Sequence, residues 1–199
     1  EIPYSVKAAP AFISIKDDGF GMTKKELIEN MRLGCKDPDD EREPGDLGRF
    51  GSGMKTASFS QANKLIVISK AEGKPAHGAI WDTERVIKEK KWILEVLSPK
   101  EVSEISNLRI NEGDKSGTQV IWLNMDRYSK DREDSHTVID KELTKDLNKI
   151  KNAIALLFHR YLDKSGEDKD LKKINVLING VKIQAFDPFM KIYPGYEQT

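Results

Sequence analysis

Two short stretches hold residues whose types and spacing can do chemistry. The first is Asp17-Asp18-Gly19-Phe20-Gly21-Met22, which closes a β-rich run at residues 11–16 (AFISIK). Side chains alternate across a strand, so Asp17 shares a face with Ile13 and Ile15, and Asp18 shares the other with Ser14 and Lys16. With Ile13 and Ile15 turned to a core, Asp17 is a carboxylate at the end of an apolar face, costly unless hydrogen-bonded. A ligand presenting donors, such as an amino-purine, satisfies it. Parity is equally compatible with an ordinary turn aspartate that caps the next backbone N–H groups.

The second stretch is Gly48-Arg49-Phe50-Gly51-Ser52-Gly53, with Met54 and Lys55 behind it. Its glycines open a helix after a polar loop. Bare N–H groups at a helix N-terminus, with the dipole behind them, attract anions, phosphate above all. Lys55, two residues into the helix, adds a charge. A flexible loop accounts for the glycines equally well. The P-loop pattern fails, because Met54 separates Gly53 from Lys55 and no strand precedes the loop. The dinucleotide pattern fails too, since the glycines fall at intervals of three and two.

These residues need a scaffold, and the pattern supplies one. Thr23 with Glu26 three residues on forms a capping box that opens a helix carrying Leu27, Ile28 and Met31, ending near Gly34. Residues 36–45 (KDPDDEREPG) are acidic, hold two prolines and read as a long loop, the kind that serves as a lid. A helix is expected over residues 54–62, then strands at 65–69 (LIVIS), 77–83 and 92–97. No regular order is evident over 98–116. Gly117-Thr118 introduces a strand at 119–123 (QVIWL). Ile139, Leu143, Leu147, Ile150, Ile154, Leu157 and Tyr161 mark one long amphipathic helix. Residues 175–183 form a hairpin, because Asn179-Gly180 suits a type I′ turn. The order reads as α+β: a two-layer sandwich, a mostly antiparallel mixed sheet with helices on one face, in a single domain over residues 1–199.

Composition narrows the classes. Among 199 residues, 33 Lys+Arg balance 33 Asp+Glu, which excludes polycationic nucleic-acid binding as the main activity. The single Cys35 excludes an internal disulfide and a Cys-rich zinc site. No apolar run approaches the ~20 residues of a membrane span, so a soluble protein of a reducing compartment, cytoplasmic or nuclear, is expected. Trp81, Trp92 and Trp122 read as sheet packing, and His77, His136 and His159 show no metal spacing.

Taken together, the Asp-x-Gly-x-Gly-Met turn, the polar lid, Gly-x-x-Gly-x-Gly and Gly-Thr before a strand resemble the GHKL ATPases (gyrase B, heat-shock chaperone, histidine kinase, MutL) and their Bergerat ATP-binding fold. The resemblance runs from about Ala11 to Leu123, and Gly51-Ser52-Gly53-Met54-Lys55-Thr56 looks most like the MORC-like branch. It implies that Asp17 accepts the adenine amino hydrogen and that Thr118 helps through its hydroxyl and an ordered water. Gly19, Gly21 and Met22 would line the base pocket. The Gly48, Arg49, Phe50, Gly51, Ser52, Gly53 and Met54 segment would hold the phosphates, Lys55 would approach the γ-phosphate, and residues 36–47 would be the lid. It implies ATP, with Mg²⁺, and slow hydrolysis coupled to a conformational switch or to a homodimer formed on ATP binding. The partner, DNA or protein, is not named by these residues. A nucleotide-gated interaction module without turnover is the alternative. A histidine-kinase catalytic domain fits less well, given the lysine after the glycines.

In one respect the sequence departs from that family, which places a helix bearing a water-activating Glu and a Mg²⁺-binding Asn before the first motif. Residues 1–10 (EIPYSVKAAP) are short and proline-bounded, so the chain reads as beginning partway into the domain. Glu26 and Asn30, four residues apart, imitate the missing pair, but they follow the turn and Glu26 has a capping role.

Overall fold

The computed structural model describes residues 12–32, 34, 51–105, 115–125, 136–163 and 171–189. Where the sequence reads as one domain, the chain groups into two compact units, Glu1–Arg132 and Glu133–Thr199. The lid segment 36–47, Gly48, Arg49 and Phe50 lie outside the described residues, as do Cys35 and residues 1–10.

In the first unit the elements run β1 (Ile13–Asp17), α1 (Lys24–Met31), α2 (Gly53–Phe59), β2 (Lys64–Lys70), β3 (His77–Asp82), α3 (Thr83–Glu89), β4 (Glu95–Leu97), α4 (Pro99–Glu104) and β5 (Gly117–Leu123). The five strands form one sheet in the order β1-β5-β2-β3-β4, and every pairing is antiparallel. Thus the first strand joins the last, and β5 sits beside β2 at the centre.

Alternation along these strands separates two apolar layers. Ile66, Ile68, Ile80, Leu97, Ile121 and Leu123 form one, and Val102 and Ile105 at the α4 end close it. Leu65, Val67, Ala79 and Trp81 form the other, with Leu27 and Met31 of α1, and Phe59 of α2 packs against it. Helices α1 and α2 therefore share a face, as the sequence leads one to expect. Helix α4, within a stretch that showed no regular order, covers the opposite one.

The sequence did hold a signal for α4. Ser98-Pro99-Lys100-Glu101 is a complete capping box with proline in the first turn. Helix α3 is capped by Asp82, whose carboxylate accepts from the amides of Glu84 and Arg85; none of its residues is buried, which is why no apolar period betrayed it.

The second unit carries α5 (His136–Leu157), α6 (His159–Leu162) and a hairpin of β6 (Leu177–Ile178) and β7 (Val181–Lys182). Asn179 and Gly180 both have positive φ, 49° and 80°, as the expected type I′ turn requires. The Phe186 amide donates to the Ala155 carbonyl at 3.0 Å, tying the segment after the hairpin to α5.

Candidate functional site

Strand register builds the site. Asp17 pairs with Thr118, Thr118 with Ser69, and Ser69 with His77. Paired residues point to the same side of a sheet, so these four side chains form one row across β1, β5, β2 and β3. The row stands on the α1/α2 face, at the end where the apolar layer gives out. Parity thus places Asp17 on the face the sequence indicates. The expectation that Asp17 looks into a dry core is corrected, however: Asp17 is exposed, and so is Ile15. The reason is position, because β1 lies at the sheet edge and its burial declines beyond Ile13.

The Asp17 carboxylate is divided in its duties. Oδ1 accepts from the Gly19 amide at 2.9 Å and from the Thr118 amide at 3.3 Å. Oδ2 accepts nothing among the described residues. One oxygen therefore does what an ordinary turn aspartate does, while the other is left for a donor from outside. Asp18 belongs to the other parity and is exposed.

Behind Asp17 lies a hydroxyl pair. Ser69 Oγ, 0% exposed, accepts the Met22 amide at 2.8 Å and stands 2.9 Å from Thr118 Oγ1 and 3.2 Å from the Gly117 carbonyl oxygen. Sequence reasoning passed over Ser69; its place two residues beyond Val67 and four beyond Leu65 was the available signal. His77 ends the row with a buried Nδ1 that has no hydrogen-bond partner among the described residues.

Two glycines let the three segments approach. At Gly21, φ is +66° and a Cβ would collide with the Lys70 carbonyl. At Gly117, φ is +149° and a Cβ would collide with the Asp17 carbonyl. Only glycine suits these conditions.

Of the second motif, Gly51, Ser52 and Gly53 are described. Ser52 is the N-cap of α2 but makes no side-chain cap hydrogen bond. A Cβ at Gly53 would meet open space. Lys55 is not on the loop side. It is 1% exposed, and its Nζ donates to the Asn30 carbonyl oxygen at 2.6 Å. The cause is plain: carbonyls of the last turn of α1 lack intrahelical donors, and a cation suits a helix C-terminus. Ser58 of the same helix accepts the Trp122 indole N–H at 2.8 Å and donates to the Met54 carbonyl at 2.6 Å.

Glu26 is occupied. Its Oε2 accepts from the Thr23 amide at 2.7 Å and hydroxyl at 2.8 Å, which hold the carboxyl below its ordinary 4.5. The Asn30 side-chain amide donates to the Glu26 carbonyl. Neither side chain is set up for water activation or metal binding, in keeping with the capping role expected for Glu26. Among the described residues, no cluster of three or more His, Cys, Asp and Glu is arranged to hold a metal ion.

A five-stranded antiparallel sheet with an Asp-Gly turn and a Thr-Ser hydroxyl pair at one end, and a glycine-opened helix packed on the same face, is the architecture of an ATP-binding domain of the GHKL kind. The chain belongs to the family of histidine kinase-, DNA gyrase B- and HSP90-like ATPases, whose family model matches residues 2–118. Over 62 residues, 31% of this chain and 7% of the relative, it is 27% identical to the ATPase morc-1 of Caenorhabditis elegans. Over 99 residues, 42% of this chain and 16% of the relative, it is 29% identical to the chaperone protein HtpG of Desulfitobacterium hafniense (strain Y51). The first likeness agrees with the MORC-like character of the second glycine motif. The chain covers only a small part of either relative's length. No helix among the described residues is long and apolar enough to cross a membrane.

Proposed function

We propose that this domain binds ATP at the β1–β5–β2 end of its sheet, and that closure of residues 36–47 over the nucleotide drives a conformational or dimerisation switch. Slow Mg²⁺-dependent hydrolysis would accompany it in the complete protein. The observation that carries the reading is the divided Asp17 carboxylate, one oxygen fixed by backbone amides and the other open. A fixed acceptor beside a hydroxyl fits the amino edge of adenine. The start of α2, where Ser52 makes no side-chain cap, fits phosphate oxygens. When bound, ATP supplies the phosphoryl group that water attacks; the residues described here bind and orient it. Gly19, Gly21 and Met22 shape the base pocket, with Thr118 assisting Asp17. Lys55 reaches a phosphate only by leaving Asn30.

Titration calorimetry with a non-hydrolysable ATP analogue tests this. The chain should bind it, and Asp17→Ala should cost about 1.5–3 kcal/mol of binding, the range for a hydrogen bond to a charged group. Asp18→Ala should leave affinity unchanged. Equal losses at the two aspartates would overturn the assignment.

A further inference from the structure

Away from the nucleotide site, the tip of the β6–β7 hairpin carries a chemistry of its own. Of the nine asparagines in the chain, only Asn179 is followed by glycine. An asparagine side chain is electrophilic at Cγ, and the nearest nucleophile along the chain is the backbone nitrogen of the next residue. A bond between them closes a five-membered imide. A Cβ on the following residue crowds that nitrogen, and glycine has none. Asn179 and Gly180 are both exposed, so water and hydroxide reach them. Ring closure also needs the turn to open. Strands of two residues each, with Leu177 57% and Val181 63% exposed, hold it weakly, since a lone two-stranded hairpin is marginally stable. Asp18-Gly19, the one Asp-Gly pair, lacks these conditions. Its Gly19 amide donates to Asp17 Oδ1 at 2.9 Å, and a carboxylate is the poorer electrophile.

We propose that Asn179-Gly180 is a self-modification site: the turn converts to aspartate and isoaspartate, and the isoaspartate form breaks the hairpin. The atoms balance without a redox partner. Hydroxide removes the Gly180 amide proton, the nitrogen bonds to Asn179 Cγ, and the Cγ–Nδ2 bond breaks to release ammonia. Water then opens the imide on either side. Cleavage at Cγ restores the backbone and leaves an aspartate side chain. Cleavage at the backbone carbonyl instead carries the chain through Cγ, which lengthens it by one atom. The two products differ for the fold. Asn179 and Gly180 have φ of 49° and 80°, the positive values of a type I′ turn, in which Asp-Gly serves as Asn-Gly does. The aspartate form therefore keeps the pairing of Ile178 with Val181. An extra backbone atom in a two-residue loop disturbs that register, which the turn and loop length fix. The Ile183 amide, 2.8 Å from the Val176 carbonyl oxygen, and the buried Ile183 side chain then lose their support.

Trypsin cuts after Lys173 and Lys182, so one peptide holds both Asn179 and Asn175, whose follower Val176 is β-branched. Mass spectrometry of that peptide, after the whole chain has been incubated at mildly alkaline pH, reads the two sites side by side. An unincubated sample corrects for changes during digestion. Asn179 should gain the amide-to-carboxyl mass difference well before Asn175 does. Its rate should rise about tenfold per pH unit, as the unprotonated fraction of the attacking amide does. Chromatography separates the aspartate and isoaspartate peptides. Amide hydrogen exchange over residues 177–182 should be parental in freshly prepared Asn179→Asp. In the aged chain, protection there should fall in proportion to isoaspartate content. Asn179→Gly keeps a turn-competent Gly-Gly pair without the reactive side chain and should show neither change on ageing. Conversion of Asn179 no faster than that of Asn175 would overturn the proposal. So would parental exchange over residues 177–182 in a chain rich in isoaspartate.

Discussion

The two faces of the sheet are made by the same strands and end in opposite ways. On the α4 face, Ile66, Ile68, Ile80, Ile121 and Leu123 continue a closed aliphatic layer. On the α1/α2 face, Leu65 and Val67 of β2 give way to Ser69, Val120 of β5 to Thr118, and Ile15 of β1 to Asp17. A one-residue change of parity therefore separates a stabilising layer from a row of hydrogen-bonding groups. The lesson is that the site draws its rigidity from the other face: the backbone that holds Ser69 and Thr118 is fixed by Ile68, a buried sheet neighbour pointing the other way.

The sharpest way to break the comparison is to damage the closed face. Ile121, 0% exposed, should cost about 2–5 kcal/mol of stability when replaced by Ala, read as a fall in denaturation midpoint. Nucleotide affinity of the folded fraction should hold. An equal loss of affinity would mean the faces are not separable.

Next in size is the tie between the helices of the open face. Lys55→Met leaves the Asn30 carbonyl without the ammonium that meets it at 2.6 Å, and stability should fall by about 1–3 kcal/mol. Comparison of adenosine with ATP adds the chemistry: similar weakening of both marks a tie that positions α1, whereas a loss confined to ATP marks an ammonium that leaves Asn30 for phosphate.

The smallest effects come from the two capping boxes, one over each face. Thr23→Ala and Ser98→Ala should each cost about 1 kcal/mol. Each box also has a pH signature. Thr23, by its amide and then its hydroxyl, holds the Glu26 carboxyl below 4.5; Ser98, by its hydroxyl and then its amide, does the same for Glu101. A carboxyl lowered in the folded state contributes fully above its unfolded value and less as pH falls through the folded one. Stability should thus decline below pH 4.5, and each cap variant should flatten that decline, measured by denaturant titration at stepped pH.

Much of this was legible in the sequence. Alternation gave the face of Asp17, the capping box gave α1, and Asn179-Gly180 gave the hairpin turn. What was illegible depended on distant partners. Nothing local announces that β1 pairs with β5, about a hundred residues on, so the edge position and exposure of Asp17 were hidden. The type of Lys55 was informative, but its partner is a backbone carbonyl, which every residue has. Ser69 read as one more strand residue until register set it beside Thr118.

The tryptophans give the molecule optical reporters of its own. Trp92 is 64% exposed and meets Trp81 edge-on with ring centroids 5.3 Å apart, while the Trp81 indole N–H donates to the Met31 carbonyl at the end of α1. Trp122 instead donates to Ser58 of α2, four residues along β5 from Thr118. Exposed Trp92 should emit to the red and yield to iodide quenching. With Trp81 and Trp92 replaced by Phe, the remaining emission reports the α2–β5 junction alone, so the motion of the glycine-opened helix can be followed in real time without a label.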